Sequence, residues 1–202
     1  VTPDGEYAVT ASWDKTARVW RLADGKLVRT LEGHSGGVLS VCVTPDGKHV
    51  VTGSGDNTAR VWRLDDGKHV RSLVWHLFPV LSVCVSPDGE HVITGSRDTM
   101  ARVWRLHDGE LVHTLKGHRI TVESVCVTPD GKYVVTASWD KTARVWRLAD
   151  GKLVRTLEGH SNSVTSVYVT PDGKHVVTGS EDRTARVWRL DDGAHVRTLE
   201  GH

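Results

Sequence analysis

One stretch, DKTARVW from Asp14 to Trp20, returns almost unchanged at Asp56 to Trp62, Asp98 to Trp104, Asp140 to Trp146 and Asp182 to Trp188. The step is 42 residues each time (56 − 14). A fixed period in this range marks a repeat architecture, in which each unit is one supersecondary element that cannot bury its apolar face alone. The chain therefore reads as a single domain, residues 1–202, divided into repeats 1–42, 43–84, 85–126, 127–168 and 169–202, the last lacking the strand that would follow it.

The unit beginning at Gly33 and His34 shows all its parts. Val38 to Thr44 (VLSVCVT) is rich in valine without polar alternation, as expected of a strand covered on both faces. Pro45, Asp46 and Gly47 supply a turn, since proline presets φ and glycine accepts a positive φ. His49 to Ser54 is a second strand, a tight corner at Gly55, Asp56 and Asn57 follows, and Thr58 to Leu64 is a third. After the Asp65, Asp66, Gly67 turn, Lys68 to Val74 is the most polar strand and fits an outer edge. The expectation is all-β: four-stranded antiparallel meanders, almost no helix, each sheet packed on the next.

Charge excludes some partners. With 26 Lys plus Arg against 25 Asp plus Glu, the net charge of +1 gives no field for nucleic acid or an anionic membrane. No apolar run long enough to span a bilayer and no basic segment with an apolar core follows the N-terminus. The chain opens at Val1 inside a repeat, so a piece of something longer is expected. Cys42, Cys84 and Cys126 share one repeat position, with Tyr168 at the fourth. An odd number of cysteines on equivalent strands reads as small buried hydrophobes rather than disulfides or a metal site, which suits a reducing, cytoplasmic setting. No cofactor or metal is expected.

A polar set recurs within these apolar strands: His34, Thr52, Asp56, Trp62; His76, Thr94, Asp98, Trp104; His118, Thr136, Asp140, Trp146; His160, Thr178, Asp182, Trp188. The first unit has Thr10, Asp14 and Trp20 without the histidine. An indole donor, a hydroxyl, an imidazole and a carboxylate can satisfy one another, and a closed network of this kind rigidifies a sheet. Through the Gly-His pair, the TPDG or SPDG turn, the TGSxDxTARVW run and the length, the chain resembles the WD40 repeat family of β-propellers, in the form of a highly repetitive, bacterial-type array. The resemblance implies propeller blades, and it implies that each His, Thr, Asp and Trp set is structural. Two departures leave those sets untouched: arginine (Arg21, Arg63, Arg105, Arg147, Arg189) stands where the family usually has aspartate after the tryptophan, and Trp75 replaces the glycine equivalent to Gly33. The arginines flanking each Val-Trp pair are expected to cover indoles and edges with their stems.

Histidine, threonine and aspartate together also suggest a nucleophile and its base. Repeated constellations cannot all face one pocket, however, and each places a tryptophan where an oxyanion donor would be needed, so no enzyme is expected. A propeller enzyme or small-ligand binder of another lineage would need carboxylates and histidines converging on the channel, where the inner strands offer Ser, Val and Cys.

Partner binding on an array is expected where the units differ. The residue before the corner aspartate is Trp13, Gly55, Arg97, Trp139 or Glu181, and the loop after the histidine carries Leu77 and Phe78 in one unit, beside Trp75, and Arg119 in another. Both segments lie at one end of a meander, and exposed Trp, Arg and Phe are the types that dominate interface hot spots. Leu39, Leu81, Glu123 and Thr165 vary on the inner strand and add side chains to a channel mouth. The tryptophans and the Trp75, Leu77, Phe78 patch have an alternative use in packing.

Four copies of the first strand stand against five of the others, and the chain ends eight residues short of five periods (5 × 42 − 202). An open five-blade arc, or half of an oligomeric ring completed by self-association, is the expected shape. The function expected is a non-catalytic protein-protein interaction scaffold with a protein or peptide partner. The alternative is a duplication-derived or designed propeller fragment whose only partner is itself.

Overall fold

The computed structural model describes residues 1–201 as an all-β array with no helix among them. The second sheet shows how a period is spent. β4 (Val38–Val43), β5 (His49–Ser54), β6 (Ala59–Arg63) and β7 (His69–Leu73) pair antiparallel in sequence order. The third, fourth and fifth sheets, residues 80–115, 122–158 and 164–199, repeat this meander. The first sheet is three-stranded, formed by β1 (Tyr7–Ala11), β2 (Ala17–Arg21) and β3 (Leu27–Leu31). Hydrogen-bonded sheets are thus one strand out of phase with the 42-residue divisions of the sequence.

Turns follow from local chemistry. Asp46 Oδ1 accepts from the Lys48 amide at 3.0 Å and from Thr44 Oγ1 at 2.6 Å, and Gly47 takes φ of 68°, so the β4–β5 connection closes without a further residue. At the β5–β6 corner Asp56 accepts from the Thr58 amide at 3.0 Å, and Asn57 adopts φ of 69°. Thr58 belongs to this corner rather than to the strand, which is why the third strand starts one residue later than the pattern suggests.

Packing comes from neighbouring sheets. Between the second and third, Val51, Ala59, Val61 and Leu73 of one meet Val92 and Trp104 of the other. Trp62, Trp104 and Trp146 are almost fully buried in these junctions. Burying such a side chain contributes about 1.5–3 kcal/mol. Cys42, Cys84 and Cys126 are free thiols packed against the same clusters. Burial raises all three, Cys126 to about 12 and Cys84 well above the ordinary value, as for small apolar residues.

The array is an open arc. In each of the four four-stranded sheets the inner strand carries one bulge: β4 pairs Val38 with Ser54 and Ser40 with Gly53, leaving Leu39 without an opposite residue. Leu81, Glu123 and Thr165 are skipped in the same way. A bulge re-aims the skipped side chain, and here it turns the most variable position of the inner strand towards the loops.

Candidate partner-binding rim

The shared polar set closes on itself. Trp62 Nε1 donates to Thr52 Oγ1 at 2.8 Å, and the Thr52 hydroxyl lies 2.7 Å from His34 Nε2. Because the indole only donates, the hydroxyl accepts from it and gives its own hydrogen to Nε2. His34 therefore carries its hydrogen on Nδ1 and donates it to Asp56 Oδ2 at 2.8 Å. The same three bonds recur on Thr94, Thr136 and Thr178 at 2.7–2.9 Å. Burial pushes His34 and His76 below the ordinary imidazole value, against the pull of Asp56 and Asp98. Burial alone would raise Asp56, but hydrogen bonds from Thr58, His34 and the Ser35 amide outweigh it and hold the carboxyl at about 2.

Two further residues, Ser54 and Arg60, join this network. Ser54 Oγ donates to the Gly36 carbonyl at 3.0 Å and accepts from the Asp56 amide at 3.1 Å, tying the corner to the loop after the histidine. Arg60 sits over the Trp62 ring at 5.9 Å and 4.0 Å from Asp56, as expected of an arginine stem on an indole. Arg63 differs from that expectation: its guanidinium reaches Asp66 in the next turn at 2.8 Å, where the two charges lie i, i+3 along the chain. His69 instead edges onto Trp62, ring centres 5.3 Å apart.

With the shared positions occupied in this way, the five matches to the repeat model described as WD domain, G-beta repeat fall on residues 1–21, 25–63, 67–105, 109–147 and 151–189. The chain belongs to the WD40 repeat family. No curated protein matches it at a significant level. Within this WD40 array the rim is therefore defined by the positions that the repeat leaves free.

The structure does bring the corner and the loop together. The Gly55 amide donates to the Gly37 carbonyl at 2.9 Å, Arg97 to Pro79 at 3.1 Å, Trp139 to Thr121 at 3.1 Å and Glu181 to Ser163 at 3.0 Å. Trp13, 80% exposed, stands beside Gly37, where an added Cβ would come within 2.8 Å of its ring. Trp13, Leu39, Leu81, Arg97 and Glu123 line one hollow of about 350 Å³ that reaches across the inner strands of several sheets. One Glu123 oxygen is buried there without a hydrogen-bond partner. Burial raises the Glu123 carboxyl, with Arg97 and a hydrogen bond from Trp139 opposing it.

The remaining candidates do not line that hollow. Trp75, Leu77 and Phe78 are exposed on the loop before the third sheet, and Arg119 is exposed on the next loop, its amide held by Asp140 at 3.1 Å. Glu181 is exposed at its corner, and Trp139, 37% exposed, is the more covered of the two corner tryptophans.

Proposed function

We propose that this chain is a non-catalytic interaction platform that takes a protein or peptide segment into the hollow bounded by Trp13, Leu39, Leu81, Arg97 and Glu123. One observation carries the reading: Trp13, Leu39, Leu81, Arg97 and Glu123, which line this hollow beside the shared Ser12 and Val38, stand at positions that differ between repeats. Larger hollows of about 490, 530 and 590 Å³ recur between adjacent sheets, lined by shared residues such as Val19, Val145, Lys48, Lys132 and Lys174. Those are features of the blade junction.

The chemistry of the repeated set supports the non-catalytic reading. Thr52 Oγ1 already receives the Trp62 hydrogen and faces His34 inside a buried network. A substrate atom has no approach to it, and the equivalent threonines face separate junctions. An aromatic wall beside a carboxylate and a guanidinium suits an extended segment with an apolar anchor and polar flanks.

A phage-displayed random peptide library panned on the immobilised chain tests this. Enriched peptides should bind at least about tenfold more weakly to Trp13→Ala and Arg97→Ala, a loss of about 1.4 kcal/mol. Lys26→Ala, in the turn after the first Trp20 strand, should leave them unaffected. Enrichment insensitive to Trp13 and Arg97 would move the binding surface elsewhere, with the Trp75, Leu77, Phe78 loop the next to test.

A further inference from the structure

Building on the platform reading, we infer that the rim hollow selects a segment carrying a basic side chain, lysine or arginine, whose cation pairs with Glu123. Glu123 stands at a place that the fold does not require to be polar: it is the residue skipped by the bulge on the inner strand of the fourth sheet. Leu39 and Leu81 occupy that place in the second and third sheets and need no polar partner. Thr165 occupies it in the fifth, and donates its hydroxyl hydrogen to the Gly179 carbonyl of its own sheet at 3.4 Å. Glu123 has no such provision. One of its carboxylate oxygens is closed off from water and has no hydrogen-bond partner among the described residues. A carboxylate in that setting is costly until a donor reaches it.

The groups around Glu123 leave it short of positive charge. Trp139 and Arg97 favour its charged form, Arg97 through charge without a hydrogen bond, and Glu181 opposes it. Two carboxylates thus stand against one guanidinium. A neutral donor entering the hollow would satisfy the orphaned oxygen and leave the charge, whereas an ammonium or guanidinium supplies both. Hydrogen bonds assisted by charge in this way are roughly twice as strong as neutral ones. Trp139, exposed at the neighbouring corner, adds an aromatic surface of the kind that attracts a cation.

The hollow allows the approach. Glu123 lines it together with Leu81 and Arg97, so a side chain entering from the rim reaches the carboxylate after a change in the glutamate torsions alone. Arg97, exposed and without a hydrogen bond to Glu123, remains to hold a carbonyl of the same segment. Trp13, Leu39 and Leu81 receive its apolar residue at the other end of the hollow.

Panning a random peptide library on the 202-residue chain, followed by titration of an enriched peptide, tests the pairing. Enriched peptides should share a lysine or arginine at one fixed position, and replacing it by norleucine should weaken binding at least about tenfold. Glu123→Gln should weaken the parent peptide by the same factor and the norleucine peptide hardly at all, so that the two losses do not add. Glu123→Leu should do likewise, and it places there the residue that Leu39 and Leu81 show to fit, should the glutamine perturb the strand. Trp13→Ala should weaken both peptides alike, because it acts on the apolar end. Peptides that depend on Trp13 but carry no fixed basic residue overturn the inference and leave the platform standing. So do peptides whose basic residue contributes equally on the unaltered chain and on both Glu123 variants, since the cation is then held elsewhere. No enrichment, or enrichment insensitive to Trp13 and Arg97, removes the platform reading and the inference together.

Discussion

Trp20 donates its indole hydrogen to Thr10 at 2.9 Å, the same bond that Trp62 makes to Thr52 at 2.8 Å, although no histidine among the described residues stands beside the first pair. Register alone places these partners: Ala8 pairs with Trp20 and Val50 with Trp62, each two residues from the threonine. Histidine and aspartate are added to a bond that the sheet already makes, so the cost of losing the threonine should depend on what else relies on it.

Thr52→Val keeps the shape and removes the hydroxyl. Both Trp62 Nε1 and His34 Nε2 then lose their buried partner, at about 1–3 kcal/mol each. Thr10→Val strands only a partly exposed indole, and should cost less than about 1 kcal/mol. Urea unfolding of both variants measures the difference; equal losses would mean that the histidine contributes nothing through the threonine.

Acid should weaken the array in two stages. Folding lowers the imidazole value of His34 and His76, so below about pH 6.5 the unfolded chain binds more protons there and stability falls with pH. Asp56 and Asp98 sit at about 2 when folded. Their stabilisation is complete above the ordinary carboxylate value of about 3.9 and disappears as pH falls towards 2. Urea midpoints at about pH 7, 5 and 3 should therefore decrease in that order. A midpoint that rises between pH 7 and 5 would show that the histidines are charged in the native network.

The third unit departs from its siblings at Met100. Thr58, Thr142 and Thr184 each donate a hydroxyl hydrogen to the corner aspartate at 2.6–2.7 Å, and the methionine cannot. Arg102 takes up that role, reaching Asp98 at 2.6 Å where Arg60 stays 4.0 Å from Asp56. Met100→Thr should restore the hydroxyl bond and raise stability by about 0.5–1.5 kcal/mol. Thermal unfolding reads this directly, and no gain would mean that the guanidinium already compensates in full.

Much of this was legible because the period exposes every position several times. His49 to Ser54 reads as a strand from pattern alone and is one. The resemblance carried by His34, Thr52, Asp56 and Trp62 assigned the network that the distances show. Arg60 was harder to place in that network, since an arginine in a strand resembles a solvated residue and its aspartate lies across a turn. Arg63 reads the same way as Arg60 in sequence, yet the turn at Asp66 captures it. The hollow was half legible: variation pointed to Trp13, Arg97 and Glu123, but only the bulge that skips Leu39, Leu81 and Glu123 brings them to one wall. Bulges depend on how two strands pair, and single-strand patterns carry no record of them.

The residue after each corner aspartate adopts a left-handed conformation, at Lys15, Asn57, Thr99, Lys141 and Arg183 with φ of 67–73°. That region costs an ordinary side chain roughly 1–2 kcal/mol, and asparagine tolerates it best after glycine. A β-branched residue is least suited, because its second branch crowds the backbone at positive φ. Thr99 is the only β-branched member, and its corner is held by the Asp98 amide donating to Ser96 Oγ at 3.1 Å and the Met100 amide donating to Asp98 at 3.1 Å. Asn57, at the same place in the second unit, also donates its side-chain amide to the Leu77 carbonyl at 3.2 Å. Thr99→Asn should therefore relieve strain and stabilise the chain by about 1 kcal/mol, whereas Asn57→Thr should destabilise it by a similar or larger amount. Urea midpoints of the reciprocal pair check both signs, and a Thr99→Asn midpoint below that of the unaltered chain would show that the threonine is held by contacts stronger than its backbone strain.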